Sequence, residues 1–541
     1  MKKFIKIGLI FLAVVFVIGV FLNRKNKDSS PADNSNPKND KPTSENIKDV
    51  KTNLQENQAS SIIIGIEYGF EDIANLFSGL GIPAVKLLPE KFDWAKMQPD
   101  VSKPINWALS DGLIREYQKA GFKEIIMGLR TQSHDSDNGA TYGKKRPIPK
   151  PEYKDLYVLW VKGVVERYDK DGKDDMPGLL YPIRYYEIEV EFSSYTPESV
   201  DDYLDKLRIA YKAAHDAYAN VIVAHSAFLP MTTFDNNPGE KGYEQAFAQM
   251  RIPDKSHNLT DMRKVLDHPE LFDRVNFHAL EDPIMIERTV KWLNFEMDKR
   301  GYKKPIIISD TEATPFISYG SAVACKGPFL GIMIWPAKES DRCRLADYFN
   351  KILDGDKETI KWKDWYIATD TVKRVVIAAH SRVELIDTAF VTDLPILSTK
   401  LGLAGAGNGG FSGFITDDYN IFAKKHSAKE YRPVFYAVKQ LSKFLSGTFI
   451  ITRENSDVDV RIYKIQKPNE VFWIAWLSPD YLILPEDSKL EKSIVLSFVP
   501  QGAVITNMAI NADNPSKTTI SSSNGQTKLI LTTAPIFVSA K

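Results

Sequence analysis

Between residues 61 and 312 short β-branched apolar runs alternate with longer stretches whose apolar positions recur every three to four residues. The first pattern fits buried strands and the second fits helices with one apolar stripe. Ser61 to Ile66 predicts a strand and Phe70 to Leu80 a helix. The series continues with Ala84 to Leu88, a helix over Ile105 to Ala120, Glu124 to Leu129, and a helix over Tyr153 to Tyr168. Ile183 to Glu191, a helix over Ser199 to Ala217, and Asn220 to Ala224 follow. Arg274 to Ala279, a helix over Ile284 to Arg300, and Pro305 to Asp310 complete seven units. An eighth strand is predicted at Val383 to Phe390, after a helix over Thr371 to His380. A last helix over Arg432 to Leu445 carries Val434, Ala437, Val438, Leu441 and Phe444 on one stripe. Eight such units predict an α/β fold, a (β/α)8 TIM barrel, with chemistry at the C-terminal ends of its strands.

From Thr448 the pattern changes to short runs of alternating polarity, including Val458 to Tyr463, Val471 to Trp476, Ser493 to Phe498 and Lys528 to Leu531. These predict a small all-β sandwich. The expected division is therefore a barrel over 61–447 and a sandwich over 448–541.

The first sixty residues belong to neither. Ile7 to Leu22 is a run of sixteen residues without a polar side chain, with Lys2, Lys3 and Lys6 before it and Arg24, Lys25 and Lys27 after it. Counted from Phe4, it approaches the roughly 20 residues that span a bilayer. No small-residue cleavage pattern closes the run, which favours an uncleaved signal anchor over residues 1–23; a cleaved signal peptide is the alternative. Residues 24–60, rich in Asn, Lys, Ser, Asp and Pro, read as a disordered polar linker. The expected location is the cell membrane, single-pass, with the folded part outside the cytoplasm, or secreted if the segment is cleaved.

Composition narrows the function. The chain has 541 residues, with 70 Lys plus Arg against 70 Asp plus Glu, so no bulk charge selects for nucleic acid. Its two cysteines, Cys325 and Cys343, exclude a disulfide scaffold or a cysteine-rich zinc module and leave open one bridge or two thiols.

Carboxylates cluster at two predicted strand ends. Along Tyr185-Tyr-Glu-Ile-Glu-Val-Glu191 a period of two places Tyr185, Glu187, Glu189 and Glu191 on one face, with Glu191 nearest the barrel mouth. In Lys304-Pro-Ile-Ile-Ile-Ser-Asp310-Thr-Glu312 the same parity puts Asp310 and Glu312 together. Two carboxyls from different strands converging at one barrel end are what retaining glycoside hydrolysis needs: one protonates the leaving oxygen, the other attacks the anomeric carbon. For a single Glu in a strand, a structural ion pair is the competing reading.

These segments resemble the clan A glycoside hydrolases. Tyr186-Glu-Ile-Glu-Val-Glu191 is similar to the clan's fourth-strand motif, commonly Trp-Glu-Ile-Gly-Asn-Glu, and Lys304 to Asp310 is similar to Lys-Pro-Ile-Trp-Ile-Thr-Glu. The resemblance implies Glu191 as general acid/base and a nucleophile at the second site. Val275-Asn-Phe-His278, Tyr431 to Lys439 and the trailing β-domain agree with it, the last being similar to that of the β-xylosidase and α-L-iduronidase family. Two departures stand out. Val190 occupies the place of the Asn that binds the sugar 2-hydroxyl, and the register puts Asp310 where Glu is expected. Glu312 is preferred as nucleophile, brought in by a bulge at the strand end; Asp310 is the alternative. The expected function is hydrolysis of O-glycosidic bonds in oligo- or polysaccharides, against the alternative of a catalytically impaired relative that binds surface glycans.

Further substrate-binding candidates at strand ends are His278, Arg130, His134, Glu189, His225 and Phe390, with Trp335 as a second stacking platform. The expected partners are carbohydrate and membrane. No cofactor is required; Asp169, Asp171 and Asp175 form either a solvated turn or a structural calcium loop.

Overall fold

A computed structural model describes residues 59–131, 153–191, 199–250, 258–315, 339–393 and 407–540, except for 421, 424, 455–456, 488, 497–498, 500 and 525, together with residues 149 and 325. Eight parallel strands form one sheet: β1 (Ile63–Gly69), β2 (Ala84–Leu87), β3 (Glu124–Leu129), β4 (Tyr185–Ile188), β5 (Ile222–His225), β6 (Val275–Ala279), β7 (Ile306–Thr311) and β8 (Val383–Phe390). Their order is β5-β4-β3-β2-β1-β8-β7-β6. The two ends of that strip meet through parallel bridges between Ala224 and Arg274 and between Phe228 and Phe277, which closes the barrel.

His225 fastens the seam. Its Nδ1–H donates to the carbonyl of Ser226 at 2.7 Å, and its Nε2 accepts the backbone N–H of Asn276 on β6 at 3.2 Å. Phe228 and Phe272 pack against the ring. Both nitrogens are committed and the side chain is fully buried, so burial lowers its pKa to about 4.

Helices Ala108–Lys119, Lys154–Arg167, Val200–Ala217, Ile284–Lys299, Lys357–His380 and Pro433–Phe444 cover the barrel. Local chemistry starts them: Ser199 accepts the N–H of Asp202, Asp356 accepts that of Thr359, and Pro433 occupies a first-turn position where no N–H is needed. The helix expected over Phe70 to Leu80 is instead a single 3-10 turn at Ala74–Phe77. The reason is backbone: Asp72 takes φ 66°, and its N–H is claimed by Glu116 at 2.9 Å.

Beyond the barrel, β9 (Ile415–Asn420) and β10 (Lys425–Tyr431) form a hairpin. The β-domain holds β11 (Ile450–Arg453), β12 (Val460–Lys467), β13 (Glu470–Leu477), β14 (Lys492–Leu496), β15 (Gly502–Asn507), β16 (Lys517–Ser521), β17 (Thr527–Leu531) and β18 (Ile536–Ala540). Six of them make an antiparallel sheet in the order β11-β12-β13-β18-β15-β16, and β14 pairs with β17. Val460, Trp473, Leu496, Leu529 and Val538 join the two sheets in one small core.

Cys325 and Cys343 are bridged. The segment expected to anchor the chain lies outside the described residues; among those described, no helix is long and apolar enough to cross a membrane.

Candidate active site

The barrel interior is built in layers. At the base, Ala84, Ile126, Tyr185, Ala224, Ile307 and Leu385 make a small apolar core. Two residues further along four of those strands the side chains are Lys86, Glu187, Ser309 and Asp387, and Asn276 joins them from β6; all are buried. The Nζ of Lys86 lies 3.0 Å from Glu187 and 3.3 Å from Glu67, and it donates to the carbonyl of Ser309 at 3.0 Å. Asn276 Nδ2 donates to Oε1 of Glu187 at 2.8 Å and to Oγ of Ser309 at 3.0 Å. Burial works against the charge on Lys86, but Glu187, Glu67 and Asp310 outweigh it and hold the ammonium above its usual range. Burial pushes Glu67 and Asp387 well above the carboxylate range, and the neighbouring Asp310 adds to the rise at Glu67.

Above this layer Glu191, His278 and Asp310 come together at the mouth. One oxygen of each carboxylate and a ring nitrogen of His278 all lie within 4.8 Å of one another. His278 Nδ1 is 2.6 Å from Oε1 of Glu191 and 3.8 Å from Oδ2 of Asp310, and its Nε2 is 3.1 Å from Oγ of Ser309. Two backbone irregularities produce this meeting. Between Phe277 and His278 of β6 the register against β7 slips, so that His278 pairs with Asp310 and Ser309 of β7 bulges. Ser309 and Asp310 therefore both reach the interior. On the fourth strand the ladder stops at Ile188, and Glu189 adopts φ 63°.

That left-handed residue breaks the strict alternation. Glu187 points inward as expected, but Glu189 turns behind the wall. There it accepts from the backbone and hydroxyl of Thr131 at 2.9 and 2.7 Å and pairs with buried Lys206 at 3.0 Å. Its expected place against a substrate is corrected accordingly. Glu312 also differs from expectation. The bulge falls before Asp310 rather than after it, and Glu312 lies fully buried near Asp310, Arg374, Asp370 and Ser412, with its pKa raised by burial first and by Asp310 second. Asp310, not Glu312, faces Glu191.

Arg130 is buried in pairs with Asp93 at 2.7 Å and Glu90 at 3.1 Å, which joins the third strand to the segment after β2. His225 serves the seam, beneath the mouth. Phe390 is 3% exposed and stacks on Tyr68 with centroids 4.7 Å apart, so it is buried with one face against protein. His134 and Trp335 lie outside the described residues. Oxygens of Asp169, Asp171 and Asp175 lie within 4.8 Å of one another, and they already accept the N–H groups of Lys170, Asp171, Gly172 and Lys173. Glu67, Lys86, Asn276, Ser309 and Asp387 were not anticipated. The available signal was a lone charge in an apolar strand, as in Ala84-Val-Lys-Leu87.

No protein-family model matches the sequence. No curated protein matches it either. Solved structures do, and they share the fold, a (β/α)8 barrel with a trailing β-domain. The chain is similar to a family 39 glycoside hydrolase from the gut symbiont Bacteroides cellulosilyticus WH2, with TM-score 0.54 and 11% identity over 89% of this chain and 81% of that one. A monomeric β-xylosidase from Caulobacter crescentus CB15 gives TM-score 0.48 at 12% identity over 90% and 97%. The family 30 subfamily 8 xylanase Xyn30A from Clostridium acetobutylicum gives 0.47 at 11% over 90% and 97%. At such identities the likeness is one of fold.

Proposed function

We propose that the protein is a retaining glycoside hydrolase acting on oligo- or polysaccharides, with Glu191 as general acid/base and Asp310 as nucleophile. The observation that carries the reading is the approach of the two carboxylates within 4.8 Å, oxygen to oxygen, at the barrel mouth. Retaining enzymes hold their carboxyls about 5 to 5.5 Å apart, whereas inverting ones need about 6.5 to 9.5 Å to admit a water.

The hydrogen-bond chain below Glu191 supports its role as the acid. Ser309 has one proton and gives it to Oε1 of Glu187 at 3.2 Å, the charged acceptor. Ser309 Oγ therefore accepts from Nε2–H of His278. When the ring is neutral and protonated at Nε2, Nδ1 is an acceptor and the 2.6 Å contact is made by a proton on Glu191. In the first step that proton passes to the leaving oxygen as Asp310 attacks the anomeric carbon and forms a glycosyl ester. In the second, ionised Glu191 takes a proton from water, which cleaves the ester.

The polar tether and the apolar run at residues 7–22 support a membrane-held enzyme working outside the cytoplasm. The test is trapping with activated 2-deoxy-2-fluoro glycosides across several sugars, followed by peptide mass analysis. A label on Asp310, together with loss of turnover in Glu191→Gln, is the expected result. A label on Glu312 would reassign the nucleophile. Oligosaccharide affinity with neither label nor turnover would replace the enzyme by a glycan binder.

A further inference from the structure

The proposed mechanism leaves several fully buried acids without a task, Glu67 among them. Glu67 sits near the end of β1, facing Lys86 on β2, Asp310 on β7, Asp387 on β8 and, across the ammonium, Glu187 on the fourth strand. Neither oxygen of Glu67 accepts a hydrogen bond, and neither does Oδ1 of Asp310. The protein thus supplies no donor to these buried oxygens, and Asp310 is a close electrostatic neighbour of Glu67. Two ionised carboxylates there would only repel, because each only accepts; one proton between them supplies the missing donor.

The surroundings decide which of the two carries it. Four carboxylates face a single ammonium, and full ionisation would leave three charges uncompensated in a buried space, which a protein interior does not sustain. Asp310 is 8% exposed at the mouth, whereas Glu67 is sealed at 0%. The ionised form is therefore cheaper at Asp310. We propose that Glu67 is a positioning residue that stays protonated and donates its O–H to Asp310, holding that carboxylate ionised and aimed at the mouth of the barrel. Burial and the charge on Asp310, which push Glu67 above the carboxylate range, agree with this geometry.

The consequence for catalysis rests on the reading of Asp310 as nucleophile; the proton itself does not. Gln at position 67 keeps the shape and an N–H donor, while Leu keeps only the bulk. Glu67→Gln is expected to retain kcat/KM within about threefold and Glu67→Leu to lose about a hundredfold, the usual scale for one donor removed from a charged centre. A structural role would not separate the two variants at equal melting temperature. Infrared difference spectra at neutral pH, wild type minus Glu67→Gln, give a readout that needs no substrate: a protonated-carboxyl carbonyl band present in the wild type and missing from the variant. Absence of that band from the difference, or a folded Glu67→Gln as inactive as Glu67→Leu, would overturn the proposal. If the band is found and no glycoside is ever cleaved, the shared proton stands and the catalytic reading of Asp310 falls.

Discussion

Nδ1 of His278 stands 2.6 Å from Oε1 of Glu191, with the imidazole wholly buried and the carboxylate nearly so. Such a contact, braced from below by Ser309, holds the acid at one edge of the mouth and supplies the partner for its proton. Replacing His278 by Phe should therefore cost most where the leaving group needs protonation. A loss of about a hundredfold in kcat/KM is expected on alkyl glycosides, with much less on dinitrophenyl glycosides. Equal losses on both substrates would mean that His278 serves the fold rather than the proton.

Lys86 is the cation of the charged layer, within 3.3 Å of Glu67 and 3.0 Å of Glu187. Lys86→Met leaves two buried acids facing a methyl group and should destabilise the protein by about 3 to 5 kcal/mol in urea unfolding. Adding Glu187→Gln should recover part of that loss, because the two residues share one interaction. Strict additivity in the double variant would contradict the pairing.

His225 gives stability a defined pH dependence. Its pKa is lowered to about 4 in the folded chain against 6.5 as the ordinary value, so the unfolded chain takes up its proton first as pH falls. The contribution is complete above about pH 6.5 and is lost progressively down to about pH 4, amounting to about 3 kcal/mol. Melting temperatures across this window should fall more steeply for the wild type than for His225→Gln; parallel curves would remove His225 from the account.

Gly65 lies where any side chain would strike the charged layer: a Cβ there would stand 1.9 Å from Oδ1 of Asp387 and 3.2 Å from Cβ of Ala84. Gly65→Ala should destabilise by about 1 to 3 kcal/mol through overpacking. Combining it with Asp387→Ala should relieve the clash, which thermal melts of the single and double variants would reveal. A double variant no better than the sum of the two singles would argue against the contact.

The barrel was legible because its signal is periodic and repeated. The strands at Glu124–Leu129 and Val383–Phe390 match the sequence reading residue for residue, and the others differ by a few positions at their ends. The site was half legible for a related reason. A period of two identified Glu187 as inward and drew attention to Glu191 and Asp310, but it holds only while the strand stays regular. The left-handed residue at Glu189 and the bulge at Ser309 each reset the parity, sending Glu189 to Lys206 and leaving Glu312 behind the wall. Neither irregularity has a Gly or Pro to announce it. Glu67 and Lys86 escaped notice because their roles depend on partners from other strands, which a local pattern cannot supply.

The seam between β5 and β6 has a mechanical consequence. Most neighbouring strands are stitched by a backbone ladder, which varies little with solvent conditions. Here isolated bridges are reinforced by an imidazole that accepts a backbone N–H only while it is neutral. Acidification therefore unbuttons the cylinder along one line before it melts the whole. Amides around Asn276 become the place where deuterium enters first, and the wall uncurls from that edge as one continuous strip of eight staves.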